Sequence, residues 1–312
     1  MDKHWNHFCT MSIVHFMAFP ETMKGEGPLV ETVSKIAADP FFGAIEIGWI
    51  MSPEDRAKVK KVIEAAHIKV GHGGQSALLM QKLNLNSLDE AERTKAVRQV
   101  CRSIDEAAEV GAERVAVLSG PDPGDADRPR AWDALVKSIQ EAAAYGQEKG
   151  IAGQQKGVAI TLETFDRTID KKCLIGPSDY AARFSQVIRK DFPTFGLMYD
   201  LSHMPLLFET PEFALGTLKD HLVHIHVGNG VRDPGVTGYG DLHPRFGWPG
   251  GCNDVPELTE FIRTLLKVGY LDENKPVKPW VGFEVKPQFP GETSELIIAG
   301  TQRVWQEAWA RA

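Results

Sequence analysis

Glu163, Asp200, His226 and Glu284 stand at the polar ends of four runs that begin apolar: AITLETFD, FGLMYDLSH, LVHIHVGN and WVGFEVKP. Three carboxylates and one imidazole make a hard, oxygen-rich donor set. Such a set suits Mn2+, Mg2+ or Co2+ better than structural zinc, which favours thiolates and imidazoles. A divalent ion there polarises a carbonyl and stabilises the oxyanion that forms beside it. The pattern therefore predicts a substrate whose carbonyl and neighbouring hydroxyl chelate the ion together. Glu163 and Glu284, arriving from separate strands, can face each other across the ion, one removing a proton from the adjacent carbon and the other returning it. A single Glu at a strand end is ordinarily a solvated surface group. Four ligand-type residues at matching strand ends favour a shared metal site.

The elements that must position these residues follow a regular alternation. Short apolar or β-branched runs predict strands over 11–18, 44–47, 68–71, 114–118, 158–163, 196–200, 222–227 and 280–286. Amphipathic stretches predict helices over 29–38, 53–66, 87–110, 127–149, 177–190, 211–219, 255–266 and 292–310, with Ser87 and Glu90 in capping-box spacing. Eight strand–helix repeats are the signature of parallel α/β architecture. At 312 residues the chain matches a single (β/α)8 TIM barrel of ~250 residues with decorated loops, one catalytic domain over 1–312. No GxGxxG follows the first strand, which weakens a dinucleotide-binding reading. The one long irregular stretch, 228–254, lies between the seventh strand and its helix, where barrel enzymes place chemistry.

These motifs resemble the xylose isomerase-like barrels, a family that includes sugar isomerases and epimerases, inosose dehydratases, C-glycoside deglycosidase catalytic subunits and endonucleases acting at abasic sites. The Glu of LETFD, the Asp and His of YDLSH, the second His of HIH and the Glu of FEVKP carry the resemblance. It implies Mn2+ or a relative on Glu163, Asp200, His226 and Glu284, with both glutamates doubling as the acid–base pair. It implies substrate contact by His203, and by an arginine after the seventh strand for which Arg232 is the nearest match. The expected activity is isomerisation or epimerisation of a keto-sugar or derivative, by proton abstraction next to a metal-bound carbonyl through an enediolate. The alternative is a lyase of the same family, cleaving a 3-oxo-glycoside or eliminating as inosose dehydratases do. A homo-oligomer is implied, with a small β-rich partner subunit if the chain cleaves C-glycosides.

Other residues join the expected site with an ordinary structural reading beside each. His203 contacts substrate or moves a proton, or else caps and supports. His224, two residues before His226, reads as a buried hydrogen-bonded histidine rather than a ligand. Glu46 orients a histidine or binds substrate. Lys286 stabilises an anion or pairs with a carboxylate, and Gln75 contacts a hydroxyl. His15 and His72 are expected near the same barrel mouth. Asp241 and His243 form a D-x-H pair, the position that helps bind extra metals in the endonucleases. Here they close the pocket, touch substrate or pin the loop. Phe246 and Trp248 pack against a ring or anchor the loop. Gly291, Thr293 and Ser294 offer either a phosphate site or a helix cap, and the cap is favoured, hence an unphosphorylated sugar.

Composition narrows the class further. The net charge of −7 weighs against nucleic acid or an anionic membrane as partner, and too few histidines match the endonuclease metal cluster. No run of 18 apolar residues predicts a membrane span. Four scattered cysteines, with no CxxC pair, suggest neither a zinc ribbon nor a disulfide scaffold. With no apparent signal peptide, the expected location is cytoplasmic.

Overall fold

A computed structural model describes residues 3–150 and 157–312 and places eight parallel strands in one sheet. The strands are β1 (Thr10–Ile13), β2 (Ala44–Ile47), β3 (Lys69–Gly73), β4 (Arg114–Leu118), β5 (Ala159–Glu163), β6 (Gly196–Asp200), β7 (Leu222–Gly228) and β8 (Trp280–Glu284). Each pairs with its sequence neighbour from β2 to β8, and β1 pairs with β8. A single parallel bridge between Val14 and Glu46 joins β1 to β2 and closes the ring. The expected (β/α)8 barrel is thus observed.

The surrounding helices are α1 (Leu29–Ala37), α2 (Pro53–Ala66), α3 (Glu90–Val110), α4 (Arg128–Glu148), α5 (Ser178–Ile188), α6 (Pro211–Leu218), α7 (Val255–Lys267) and α8 (Ser294–Arg311). The strands alternate in character because successive side chains point to opposite faces. In β7, Ile225 and Val227 are fully buried in the apolar core, while His224 and His226 reach Glu46 within the barrel. In β8, Val281 and Phe283 join the core and Gly282 and Glu284 take the inner positions. A TIM-barrel interior is ordinarily filled by bulky branched side chains. Here Ser12, Glu46 and His224 put a hydrogen-bonded polar cluster inside the ring.

Two local expectations need correction. The first strand ends at Ile13, and His15–Ala18 forms a short helix. Phe16 and Ala18 remain buried there, so the apolar run outlasts the ladder. The cap of α3 is Asp89, which accepts from the N–H groups of Ala91 and Glu92. Ser87 instead accepts from the Asp89 N–H and donates to Glu92. At α8, Thr293 accepts from the Leu296 N–H, as a cap does.

Candidate metal centre

Glu163, Asp200 and Glu284 are the last residues of β5, β6 and β8, and His226 lies in β7. Register brings them level. Asp200 pairs with His226, and Glu284 pairs with Gly228, two residues beyond His226. One ligand atom from each of the four lies within 4.8 Å of the others. His226 Nδ1 is 2.7 Å from Glu284 Oε2 and 3.7 Å from Glu163 Oε1.

Each of the four residues turns one buried atom into that space without a well-aligned hydrogen bond: Glu163 Oε1, Asp200 Oδ2, and His226 Nδ1 and Glu284 Oε2, which approach each other there. Their other atoms are held. Gln75 Nε2 donates to Glu163 Oε2 at 2.8 Å, and the Ser202 N–H donates to Asp200 Oδ1 at 2.7 Å. His226 Nε2 donates to Glu46 Oε2 at 2.8 Å, which leaves the lone pair of neutral His226 on Nδ1, facing carboxylate oxygens. Acceptors converging in a buried space call for positive charge between them, and the donor set fits a divalent ion.

Without an ion, protons must serve. Burial raises the Asp200 carboxyl to about 6, with Glu284 adding to the rise and the neighbouring histidines opposing it. Burial would also raise Glu284, but His243 and His226 outweigh it and hold that carboxyl at about 2. Burial would lower His226, but Glu46 and Glu284 carry it well above the ordinary histidine range.

Glu46 sits behind His226, not among the ligands. It accepts from His226, from Ser12 Oγ at 2.7 Å and from His224 Nε2 at 3.1 Å. Burial would raise its carboxyl, but His224 and His226 pull it well below the ordinary range. Glu46, His224 and His226 have the spacing of a second ligand group, yet among the described residues no fully buried atom of Glu46 or His224 lacks a partner. The hydrogen bonds account for that cluster, a carboxylate–histidine–metal arrangement. Gly282 makes room for it: a Cβ there would lie 2.4 Å from Glu46 Oε1 and 2.9 Å from His226 Cδ2.

Beside the first cluster lies another that the sequence reading did not count. His203 and His243 both aim Nε2 at Asp241 Oδ1, at 3.1 and 2.9 Å. The His203 Nδ1–H donates to the Thr164 carbonyl at 2.7 Å, and the His243 Nδ1–H to the Glu284 carbonyl at 3.2 Å. His243 adopts φ 51, a left-handed backbone that is uncommon outside glycine and marks a constrained loop. Asp200, His203 and His243 have the spacing to share a second cation. The opposing causes are again clear. Burial would depress both histidines, but Asp241 raises His203 far above the ordinary range and His243 to about 9.

The long loop 228–254 brings Asp241 and His243 to the cavity over the metal cluster. Asn229 and Asn253 fix its base through the Leu201, Gly228 and Arg245 carbonyls. Lys171, which the sequence reading missed, pairs with Asp241 Oδ2 at 3.1 Å and lines the same cavity. Asp166 presents that lysine by accepting from the N–H groups of Ile169, Asp170 and Lys171. Its only sequence signal is an aspartate three residues after Glu163.

Lys286 and Gln75 line the cavity as expected, although Gln75 holds Glu163 with its amide nitrogen. Burial and the nearby Lys171 lower the Lys286 ammonium. Other expected residues are not brought to the mouth. Arg232 is exposed, its guanidinium 5.5 Å over the Phe208 ring. His72 faces α3, 3.4 Å from Glu106, because Gly71 beside it takes the inward position near Glu46. His15 meets Thr32 of α1 at 2.8 Å. Phe246 is buried in the core, and Trp248 stacks on Phe289 at 3.8 Å, so both anchor the loop.

No curated protein matches the sequence. Solved structures share the fold. One is D-psicose 3-epimerase from Clostridium cellulolyticum H10, crystallised with D-tagatose. It is 19% identical, with a TM-score of 0.64 over 97% of this chain and 96% of that one. A 3-keto-D-glucoside 4-epimerase, YcjR from E. coli, is 16% identical, with a TM-score of 0.61 over 92% and 95%. A family 2 AP endonuclease from Brucella melitensis is 16% identical, with a TM-score of 0.64 over 94% and 97%. A family model described as xylose isomerase-like TIM barrel matches residues 35–292. With the closed parallel barrel and the carboxylate–histidine cluster at its C-terminal rim, this chain belongs to the xylose isomerase-like TIM barrel family.

Proposed function

We propose that this chain is a divalent-metal-dependent sugar isomerase or epimerase acting on a keto-sugar or derivative. One observation carries the reading: four buried ligand atoms without a well-aligned hydrogen bond, one each from Glu163, Asp200, His226 and Glu284, converge at the barrel rim. Those residues would hold the ion, Mn2+ in the first instance, which when bound supplies polarisation of a substrate carbonyl.

The chain's own residues supply the rest. Glu163 and Glu284 both line the cavity, and either can remove a proton from the carbon beside the carbonyl while the other returns one. Gln75 fixes the orientation of Glu163. The Lys286 ammonium, in the cavity wall, offsets negative charge that develops on the substrate. His203 is fully buried, stands outside the cavity lining and faces Thr164 and Asp241 with its two ring nitrogens, so its part in substrate binding or proton transfer runs through Asp241. Burial of the two glutamates, 2% and 9% exposed, keeps bulk water from competing with them as proton donor.

The names of two fold relatives, both epimerases, agree with this reading. A nucleic-acid substrate fits a chain of net charge −7 less well. No described helix is long and apolar enough to cross a membrane. The four free cysteines support a reducing, cytoplasmic setting, and the family resemblance supports a homo-oligomer. The test is solvent exchange. Metal-loaded protein in D2O should replace the C–H next to the carbonyl of a ketohexose, and a chelator should stop it. Full exchange in metal-free protein would overturn the reading.

A further inference from the structure

The cavity over the metal centre has two halves of opposite chemistry. Its floor carries Glu163, His226 and Glu284; its rim carries Met17, Met23, Leu79, Met80 and Leu242. Leu79 and Met80 are each 43% exposed and Leu242 is 40% exposed. Single exposed apolar side chains need no explanation, but a cluster drawn from separate segments around one mouth marks a binding surface. Leu79 and Met80 lie on the short helix Gln75–Met80 after β3, and Leu242 lies on the long loop after β7.

Each rim segment is tied to the floor. The helix bearing Leu79 and Met80 begins with Gln75, whose amide holds Glu163. Leu242 stands between Asp241 and His243, both buried. The arrangement that aims polar groups downward therefore also fixes apolar groups upward. The cavity volume of ≈ 200 Å³ is below the roughly 300–1,000 Å³ of ordinary ligand sites. It suits the reacting end of a sugar, leaving the remainder of a larger substrate on the rim. A free sugar, hydroxylated along its length, gains little from thioether and isobutyl groups.

We propose that the substrate is a sugar derivative with an apolar substituent, a glycoside whose sugar end sits on the floor and whose apolar aglycone lies on Leu79, Met80 and Leu242. The sugar half rests on the proposed function; the rim half does not depend on which reaction follows.

Calorimetry on the full Mn2+-loaded chain tests this with phenyl 3-oxo-β-D-glucoside against methyl 3-oxo-β-D-glucoside. The phenyl compound should bind about tenfold tighter, the scale of burying one large apolar side chain, with a more negative heat-capacity change. The ratio should fall toward one in Leu79→Ser and in Leu242→Ser. Met80→Gln, at an exposed position, gives the same readout if either variant fails to fold. Equal affinities in the wild-type chain would overturn the inference. So would an oligomer that covers the rim and dissociates on Leu242→Ser. Proton exchange on a bare ketose without phenyl preference sinks the aglycone inference alone. Phenyl preference without exchange on any keto-sugar sinks the epimerase reading and leaves the subsite standing.

Discussion

Glu46 accepts the Nε2 hydrogen of His226 at 2.8 Å. That bond selects the ring tautomer and turns Nδ1 toward Glu163 and Glu284. The partner is a residue 180 positions away in sequence, from the strand that closes the barrel. Replacing Glu46 with Gln should therefore weaken metal binding by about 10–100-fold, the usual cost of losing a carboxylate behind a ligating histidine. Titration with Mn2+, followed by paramagnetic resonance, measures it. Unchanged affinity would show that Glu46 serves only the interior packing.

Glu163→Gln and Glu284→Gln should each lower the rate of C–H exchange by about 10²–10⁴-fold, the range for loss of a general acid or base. Folding should persist, because barrel stability rests on the apolar strand layers. Thermal melts and exchange rates on the same samples separate the two effects. Wild-type exchange in either variant would remove that residue from the acid–base pair.

Metal loading should release protons, and affinity should rise with pH. In the metal-free chain, burial raises Asp200 to about 6, and Glu46 and Glu284 hold His226 protonated well above its ordinary range. Both groups must lose their protons to act as ligands. The sign follows: affinity is weakest below pH 6 and climbs as pH rises through and beyond it. Calorimetry in buffers of different ionisation enthalpy counts the protons. Zero release at pH 5.5 contradicts the donor assignment.

Gly282→Ala places a methyl group 2.4 Å from Glu46 Oε1 and 2.8 Å from Ser12 Oγ. Overpacking of this kind costs about 1–3 kcal/mol. The denaturation midpoint should fall, and metal affinity should fall with it, because the carboxylate that must move is the one orienting His226. A variant with wild-type midpoint and affinity would mean that the interior has slack.

His15 gives a pH dependence of stability independent of the metal. Burial lowers its folded pKa to about 3, below the unfolded value of about 6.5. The unfolded chain therefore binds the proton first, and stability falls as pH drops from about 6.5 toward about 3. At pH 4.5 the loss from this group is about 3 kcal/mol. Urea midpoints at pH 7.5 and 4.5 should differ less in His15→Gln than in the wild-type chain, and equal differences would refute it.

The sequence by itself determined the barrel and singled out the four residues whose ligand-type atoms the structure brings together at its rim. Both are local properties: apolar runs mark strands, and a ligand-type residue at the polar end of a run marks the rim. Strand parity and loop path were decided only in three dimensions. Gly71 turns inward beside Glu46, so His72 faces α3 instead of the mouth. Arg232 lies out on the Phe208 ring, while Asp241 and His243 from the same loop reach the metal cluster. The orientation of His226 comes from Glu46, and that of Glu163 from Gln75. Hydrogen bonds between elements far apart in sequence leave no periodic trace, since each requires only one residue of the right type at one position. Spacing reveals which side chains can bind a cation; barrel closure sets which atoms of those side chains remain free to do so.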